Sequence, residues 1–398
     1  MRLSTILLTL TLAGCTGSVS ELGPPPLDPT AGGEASMGGG DAGGGASAGG
    51  TASAAGGSAA GGTAMGGGTA TGGGVAMGGG SATAGGTAMA GGGARAGGTA
   101  TGGGVASGGG SGGGTIVTGP CAMTGGTRAE QVCRRWRCDR ADMSEGLWSG
   151  SVSPCAAGTL DDTGKNNALK LINLYRFIAD LPPVALDATK NQSAQECSLM
   201  MDANNQLSHS PPASWACYSA NGATAAGRSN ICSTRAVRCI DMYMSDFGNA
   251  TTIGHRRWFL SNGLGPIGIG GTTGGSCHHV IGGSGTATKP WLAFPPPGPV
   301  PLELIRIPGN PSVDSTGWTV QSYSAPYSLV GAAVTVTEGG VNRPVTVTRL
   351  GDNYGSRYAI RFNPMGWTTE AGKTYQVTVT APALTTPISY AVEVVSCP

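Results

Sequence analysis

"INLYRFIADLPPVALD", residues 172–187, ends one helix and prepares the next. Extended back to Asn166, the stretch places Leu169, Ile172, Tyr175 and Ile178 or Ala179 on one face of an amphipathic helix. Asn166 or Asn167 can cap its start, and Pro182-Pro183 stop it because proline has no amide proton to donate. Asp187 is then placed to cap a second helix through "DATKNQSAQECSLMMDANNQ", which shares Ala194, Cys197 and Met201 on one face and ends before His209. A third helix is expected in "TRAVRCIDMYMSD", followed by "GHRRWFL" and a glycine-rich, strand-like "GPIGIGGTTGG".

On either side of this section the texture differs. Residues 121–163 hold four cysteines and little periodicity, which suggests a disulfide-clamped lead-in whose "CRRWRC" is a short exposed turn with Trp136 packed on the next domain. Beyond Pro299, "AAVTVTEGGVNRPVTVTRL", "SRYAIRF" and "TYQVTVTAP" alternate β-branched and polar residues between glycine and asparagine turns, and "TEGGVN" signals a hairpin. Several such strands fit a small β-sandwich, with "WLAFPPPGPVP" as a rigid connector before it.

The amino terminus suggests export. Arg2 precedes an apolar run from Leu3 to Leu12, too short to span a bilayer, and Leu12-Ala13-Gly14 lead into Cys15. That ending resembles a bacterial lipobox, so residues 1–14 read as a signal peptide and Cys15 as a lipid-carrying first residue; an ordinary signal peptide is the alternative. Thr16 carries no acidic retention signal, which points to the outer membrane, on its periplasmic or outward side. From about Ala31 to Gly114 the chain is almost wholly Gly, Ala, Ser, Thr and Met, with too few apolar side chains to offset ordering entropy. Residues 15–120 therefore read as a disordered tether, and at about 5–6 Å × √n some ninety residues of it reach roughly 50 Å.

Apart from Cys15, ten cysteines remain: Cys121, Cys133, Cys138, Cys155, Cys197, Cys217, Cys232, Cys239, Cys277 and Cys397. An even number in an exported chain favours disulfides over thiols, and the absence of CxxC pairs argues against a zinc ribbon. A formal net charge of +1 and no basic run longer than "CRRWRC" exclude a nucleic-acid surface.

Taken in order, "INLYRFIADLPPVALD", "LSHSPP", "SNI" and "GHRRWFL…GPIGIG" resemble the CAP superfamily of cysteine-rich secretory, antigen 5 and pathogenesis-related proteins, over about residues 164–290. The resemblance implies an α-β-α sandwich for residues 164–298, ahead of an immunoglobulin-like β-sandwich over 299–398, an α+β chain as a whole. It also implies a cleft between His209 and His255, to which acidic residues add a pocket for a divalent metal in many members. Zinc is the cofactor such a set would take. Here the first acid's position is held by Ser229, whose hydroxyl neither neutralises a cation nor takes a proton at neutral pH, and the second aligns best with Asp246, with a slip of a few residues left open. His278 and His279 are adjacent, so on a strand only one could reach a given cleft; solvent exposure or contact with a Cys277 disulfide is the plainer expectation.

Other chemistries lack their motifs. The GxSxG at Gly109–Gly113 lies in the tether, and no HExxH or P-loop exists. A His-dependent enzyme using Ser210 or Ser229 would lack an acid to fix an imidazole tautomer. The expected role is therefore non-catalytic binding of a lipid, glycan or cell-surface protein from a membrane anchor, with a His-dependent or metal-assisted hydrolase of peptides or envelope polymers as the alternative.

Overall fold

The computed structural model describes residues 125–397. The readings of the signal peptide, Cys15, the tether and Cys121 fall outside them. Helix α1 (Arg128–Asp139) starts at a capping box in which Thr127 and Glu130 exchange side-chain to backbone bonds. "CRRWRC" is thus helix, which corrects the turn expected there. Val132, Cys133 and Trp136 are buried on one side, a helical spacing hidden in the sequence by the surrounding arginines. Trp136 meets the Tyr175 ring edge-on at 6.0 Å, and Arg128 and Arg135 stand 4.0 and 4.7 Å from the Phe177 ring centre.

The central section holds α2 (Asp162–Ile178), α3 (Ala188–Asn204), α4 (Ala220–Ala226), β1 (Ser229–Cys232), α5 (Ala236–Ser245), α6 (Gly254–Phe259), β2 (Gly268–Gly271) and β3 (Ser276–His279). Asp187 caps α3 as expected, accepting from the Lys190 amide, whereas α2 begins earlier than the asparagines suggest because Asp161 caps it through Gly164. Ala194, Cys197 and Met201 of α3 are buried together. "GHRRWF", left without an assignment by the sequence, is a short helix. The strands form an antiparallel sheet in the order β1-β3-β2. α3 covers one face and α2 with α5 the other, giving an α-β-α sandwich. Glycines set the spacing of the first layer: a Cβ on Gly268 or Gly270 would lie 2.3 Å from the α3 backbone at Lys190 or Ala194. "GIGG" therefore lets a helix rest directly on a strand's backbone.

The rest is a two-sheet sandwich: β4 (Trp291–Phe294), β5 (Gly298–Pro301), the short helices α7 (Leu302–Ile305) and α8 (Val313–Thr316), β6 (Trp318–Ser322), β7 (Ala333–Glu338), β8 (Val341–Asn342), β9 (Val345–Arg349), β10 (Tyr358–Pro364), β11 (Thr374–Thr380) and β12 (Ile388–Val395). One sheet runs β4-β6-β10-β9 and the other β5-β12-β11-β7-β8, with β5 parallel to β12. Lettered along the chain, these are A-B-E-D and A′-G-F-C-C′, the immunoglobulin-like arrangement. "WLAFPPPGPVP" is more than a connector. It is the first strand divided between both sheets, broken at Pro295–Pro297 because those residues cannot donate to a ladder; its second half survives as an edge strand, where proline is tolerated. The "EGGV" hairpin forms as expected, with Gly339 and Gly340 both at positive φ.

The two parts share one apolar core running from Trp136 and Tyr175 through Phe294 to Trp318, with the Tyr175 and Phe294 rings 6.3 Å apart. Two arginines of α6 bolt them together. Arg256 donates to the carbonyls of Met244, Ser245 and Gly317, and Arg257 to those of Thr252, Gly351 and Ser356. Burial lowers both guanidinium pKa values to about 10, which leaves them charged at neutral pH. Disulfides join Cys133 to Cys397, Cys155 to Cys217, Cys197 to Cys277 and Cys232 to Cys239, and Cys138 is oxidised as well.

Candidate functional site

α5 ends on Asp246, whose backbone is left-handed (φ 55°) and whose side chain is buried. That geometry turns its carboxylate toward α6. Oδ1 lies 2.8 Å from His255 Nδ1 and Oδ2 accepts the Arg256 amide at 3.2 Å. The carboxylate thus holds the His255 ring with Nδ1 protonated and Nε2 as an open acceptor. The other aspartate of α5, Asp241, is committed elsewhere, to both Arg140 Nη atoms and the Tyr175 hydroxyl. Asp246 is therefore the carboxylate of the His255 cleft, and an acid orienting an imidazole is present where the sequence reading expected none.

His209 is held differently. Its Nδ1 lies 2.9 Å from the Ala226 carbonyl, so it too presents Nε2 as an acceptor. Burial pushes its pKa down, the Ala226 carbonyl opposes that, and a charge on His255 would lower it further, which places the two imidazoles within electrostatic reach. Both side chains remain partly exposed.

Ser229 does not join them. Its buried Oγ donates to the Ala225 carbonyl at 2.7 Å, closing a local turn. Sheet register explains the rest: Ser229 pairs with His279 and Asn230 with His278, and neighbours on a strand face opposite ways. Asn230 takes the His255 side, donating to that residue's carbonyl at 3.2 Å.

The adjacent histidines are both buried, which corrects the expectation of exposure. His279 Nδ1 meets Ser193 Oγ on α3 at 3.2 Å. His278 lies on the other face beside Tyr243 and Phe259, at 5.4 and 6.1 Å between ring centres, and neither of its nitrogens meets a well-placed hydrogen-bond partner among the described residues. Burial first, with nearby cations adding for His279, lowers their pKa values to about 3 and about 4. Tyr243 links the His278 ring to His255, its centre lying 4.8 Å from that of His255. Sequence reading gave no role to Tyr243, an apolar helix position without a signal of its own, or to Asn230, which sits in the quoted "SNI" but whose partner lies far along the chain.

The donor set does not suit zinc. Two imidazole Nε2 atoms are available, the oxygens of Asp246 are taken up by His255 and Arg256, and the Ser229 hydroxyl is spent. Among the described residues no group of three or more His, Cys, Asp or Glu converges.

Residues 169–281 match the model of the CAP family, described as the cysteine-rich secretory protein family. No curated protein matches the chain. The match runs from within α2 to beyond β3 and takes in both His209 and His255, so this part of the chain is a CAP domain, carried here in front of an immunoglobulin-like sandwich.

Proposed function

We propose that this chain is a non-catalytic binding protein of the bacterial envelope, held at the outer membrane by a lipid on Cys15 and presented on its glycine-rich tether. A CAP domain stapled by disulfides is a secreted-type module, and no helix among the described residues is long and apolar enough to cross a membrane. The observation that carries the reading is Ser229. At the position where the family resemblance places an acid, the hydroxyl is buried and committed to Ala225, leaving His209 with a backbone carbonyl as its orienting group among the described residues. Two fixed acceptor nitrogens suit recognition of a donor-bearing lipid, glycan or protein.

The Asp246–His255 bond favours a second reading, a His-dependent hydrolase, because an oriented imidazole is a usable base. Incubating the purified full chain with casein peptides and peptidoglycan, beside His209→Ala and His255→Ala, separates the two. The binding reading expects no turnover that depends on either histidine. Hydrolysis abolished by both substitutions would establish the enzyme instead.

A further inference from the structure

In the sandwich, where β7 runs into its hairpin and β10 connects to β11, a cavity of about 310 Å³ opens among Glu338, Arg343, Trp367, Glu370, Lys373 and Tyr375. We propose that this cavity binds an uncharged saccharide unit; the inference rests on the binding role proposed for the chain and names its ligand class.

One wall is aromatic and fixed. Trp367 stacks on Tyr375 with ring centres 5.2 Å apart and planes 20° from parallel, and the Trp367 indole N–H donates to the Pro344 carbonyl at 2.7 Å. Trp318 meets the indole edge-on at 6.2 Å from beneath, so the platform is backed by the sandwich core. Around it the groups are ionic. Glu338 accepts from Arg343 Nη2 at 2.5 Å and from Lys373 Nζ at 3.0 Å, so its charge is compensated twice. The exposed Glu370 carboxylate has no partner among the described residues, although its amide donates to the Tyr375 hydroxyl. The Arg343 Nε–H is shielded from water and also unpartnered, and Lys373 has protons to spare beyond Glu338.

These features select among ligand classes. A volume near the lower end of small-molecule sites, roughly 300–1,000 Å³, admits one or two sugar rings. A lipid chain or sterol needs a mainly apolar lining, and four of the six side chains here carry charge. An anion would meet Glu370, a cation would meet Arg343 and Lys373, and two acids against two bases leave no net charge to attract either. A pyranose presents an apolar C–H face for the indole and hydroxyls at its edge. Those hydroxyls can accept from Arg343 and Lys373 while donating to Glu370.

The test is calorimetric titration of the full chain with cellotriose and triacetylchitotriose, with sedimentation of phosphatidylcholine vesicles as the lipid arm. Saturable binding of one saccharide is expected, weakened about tenfold or more by Trp367→Ala and by Glu370→Gln. Glu370→Gln keeps the measurement informative if Trp367→Ala unfolds, since its carboxylate supports nothing else. Saccharide binding lost in His255→Ala but indifferent to both pocket variants would overturn the pocket and leave the binding reading standing, with the ligand in the CAP cleft. No saccharide binding at millimolar concentration, or vesicle binding that depends on Trp367 in its place, would overturn the inference while leaving the hydrolase comparison to judge the broader reading.

Discussion

His255 Nδ1 and Asp246 Oδ1 lie 2.8 Å apart because α5 closes on a left-handed aspartate and α6, opening eight residues later, sets His255 against it. Asparagine tolerates that backbone conformation, so Asp246→Asn isolates the charge. The wild-type His255 ring is expected as the Nδ1–H tautomer in ¹⁵N NMR, with the variant showing a mixture and losing about 1–3 kcal/mol of stability as buried bonds to His255 and Arg256 weaken. An unchanged tautomer in Asp246→Asn would mean that the carboxylate does not orient the ring.

His278 and His279 make stability depend on acidity. Their folded pKa values, about 3 and about 4, lie below the ordinary histidine value of about 6.5, so the unfolded chain takes up protons first as pH falls. Their contribution is complete above about pH 6.5 and is lost as pH drops through that value toward 4, by about 1.4 kcal/mol per pH unit for each histidine. Urea unfolding at intervals from pH 8 to 5 checks this. His278→Phe, which keeps a ring against Tyr243 and Phe259, should remove about half of the slope.

Arg257 holds the CAP domain to the loop between β9 and β10 through the Gly351 and Ser356 carbonyls and the Ser356 hydroxyl, and is steadied on its own side by the Thr252 carbonyl. A lysine cannot reproduce that fork. Arg257→Lys is expected to cost about 2–4 kcal/mol and to split the single unfolding transition of the wild type into two, seen by calorimetry. Retention of one transition at unchanged temperature would show that the shared apolar core suffices.

The disulfide between Cys133 and Cys397 closes a loop of 264 residues in sequence separation and pins the last strand to α1. Replacing both cysteines by serine should lower stability by about 4–5 kcal/mol through the unfolded chain's regained freedom. Denaturant midpoints of the variant against the wild type measure it.

Much of this was legible in the residues. The α3 cap at Asp187, the "EGGV" hairpin and the alternating strands follow from local chemistry that tertiary contacts do not override. The histidines of "LSHSPP" and "GHRRWFL" were visible only through the family resemblance. What stayed hidden depends on partners far along the chain. "CRRWRC" is a helix because Thr127 caps it and Tyr175 receives Trp136; "WLAF" is a strand because Trp318–Ser322 pairs with it. Asp246 orients His255 only because its backbone is left-handed, a property that an aspartate does not announce.

Among the described residues the CAP domain, with Ser229 turned to Ala225, offers two imidazole nitrogens and no free carboxylate beside them. Zinc titration of the purified full chain by calorimetry, with His209→Ala and His255→Ala alongside, tests it most directly. No saturable zinc binding that distinguishes the wild type from the variants is expected. One equivalent of zinc bound at micromolar affinity and lost in both variants would contradict it.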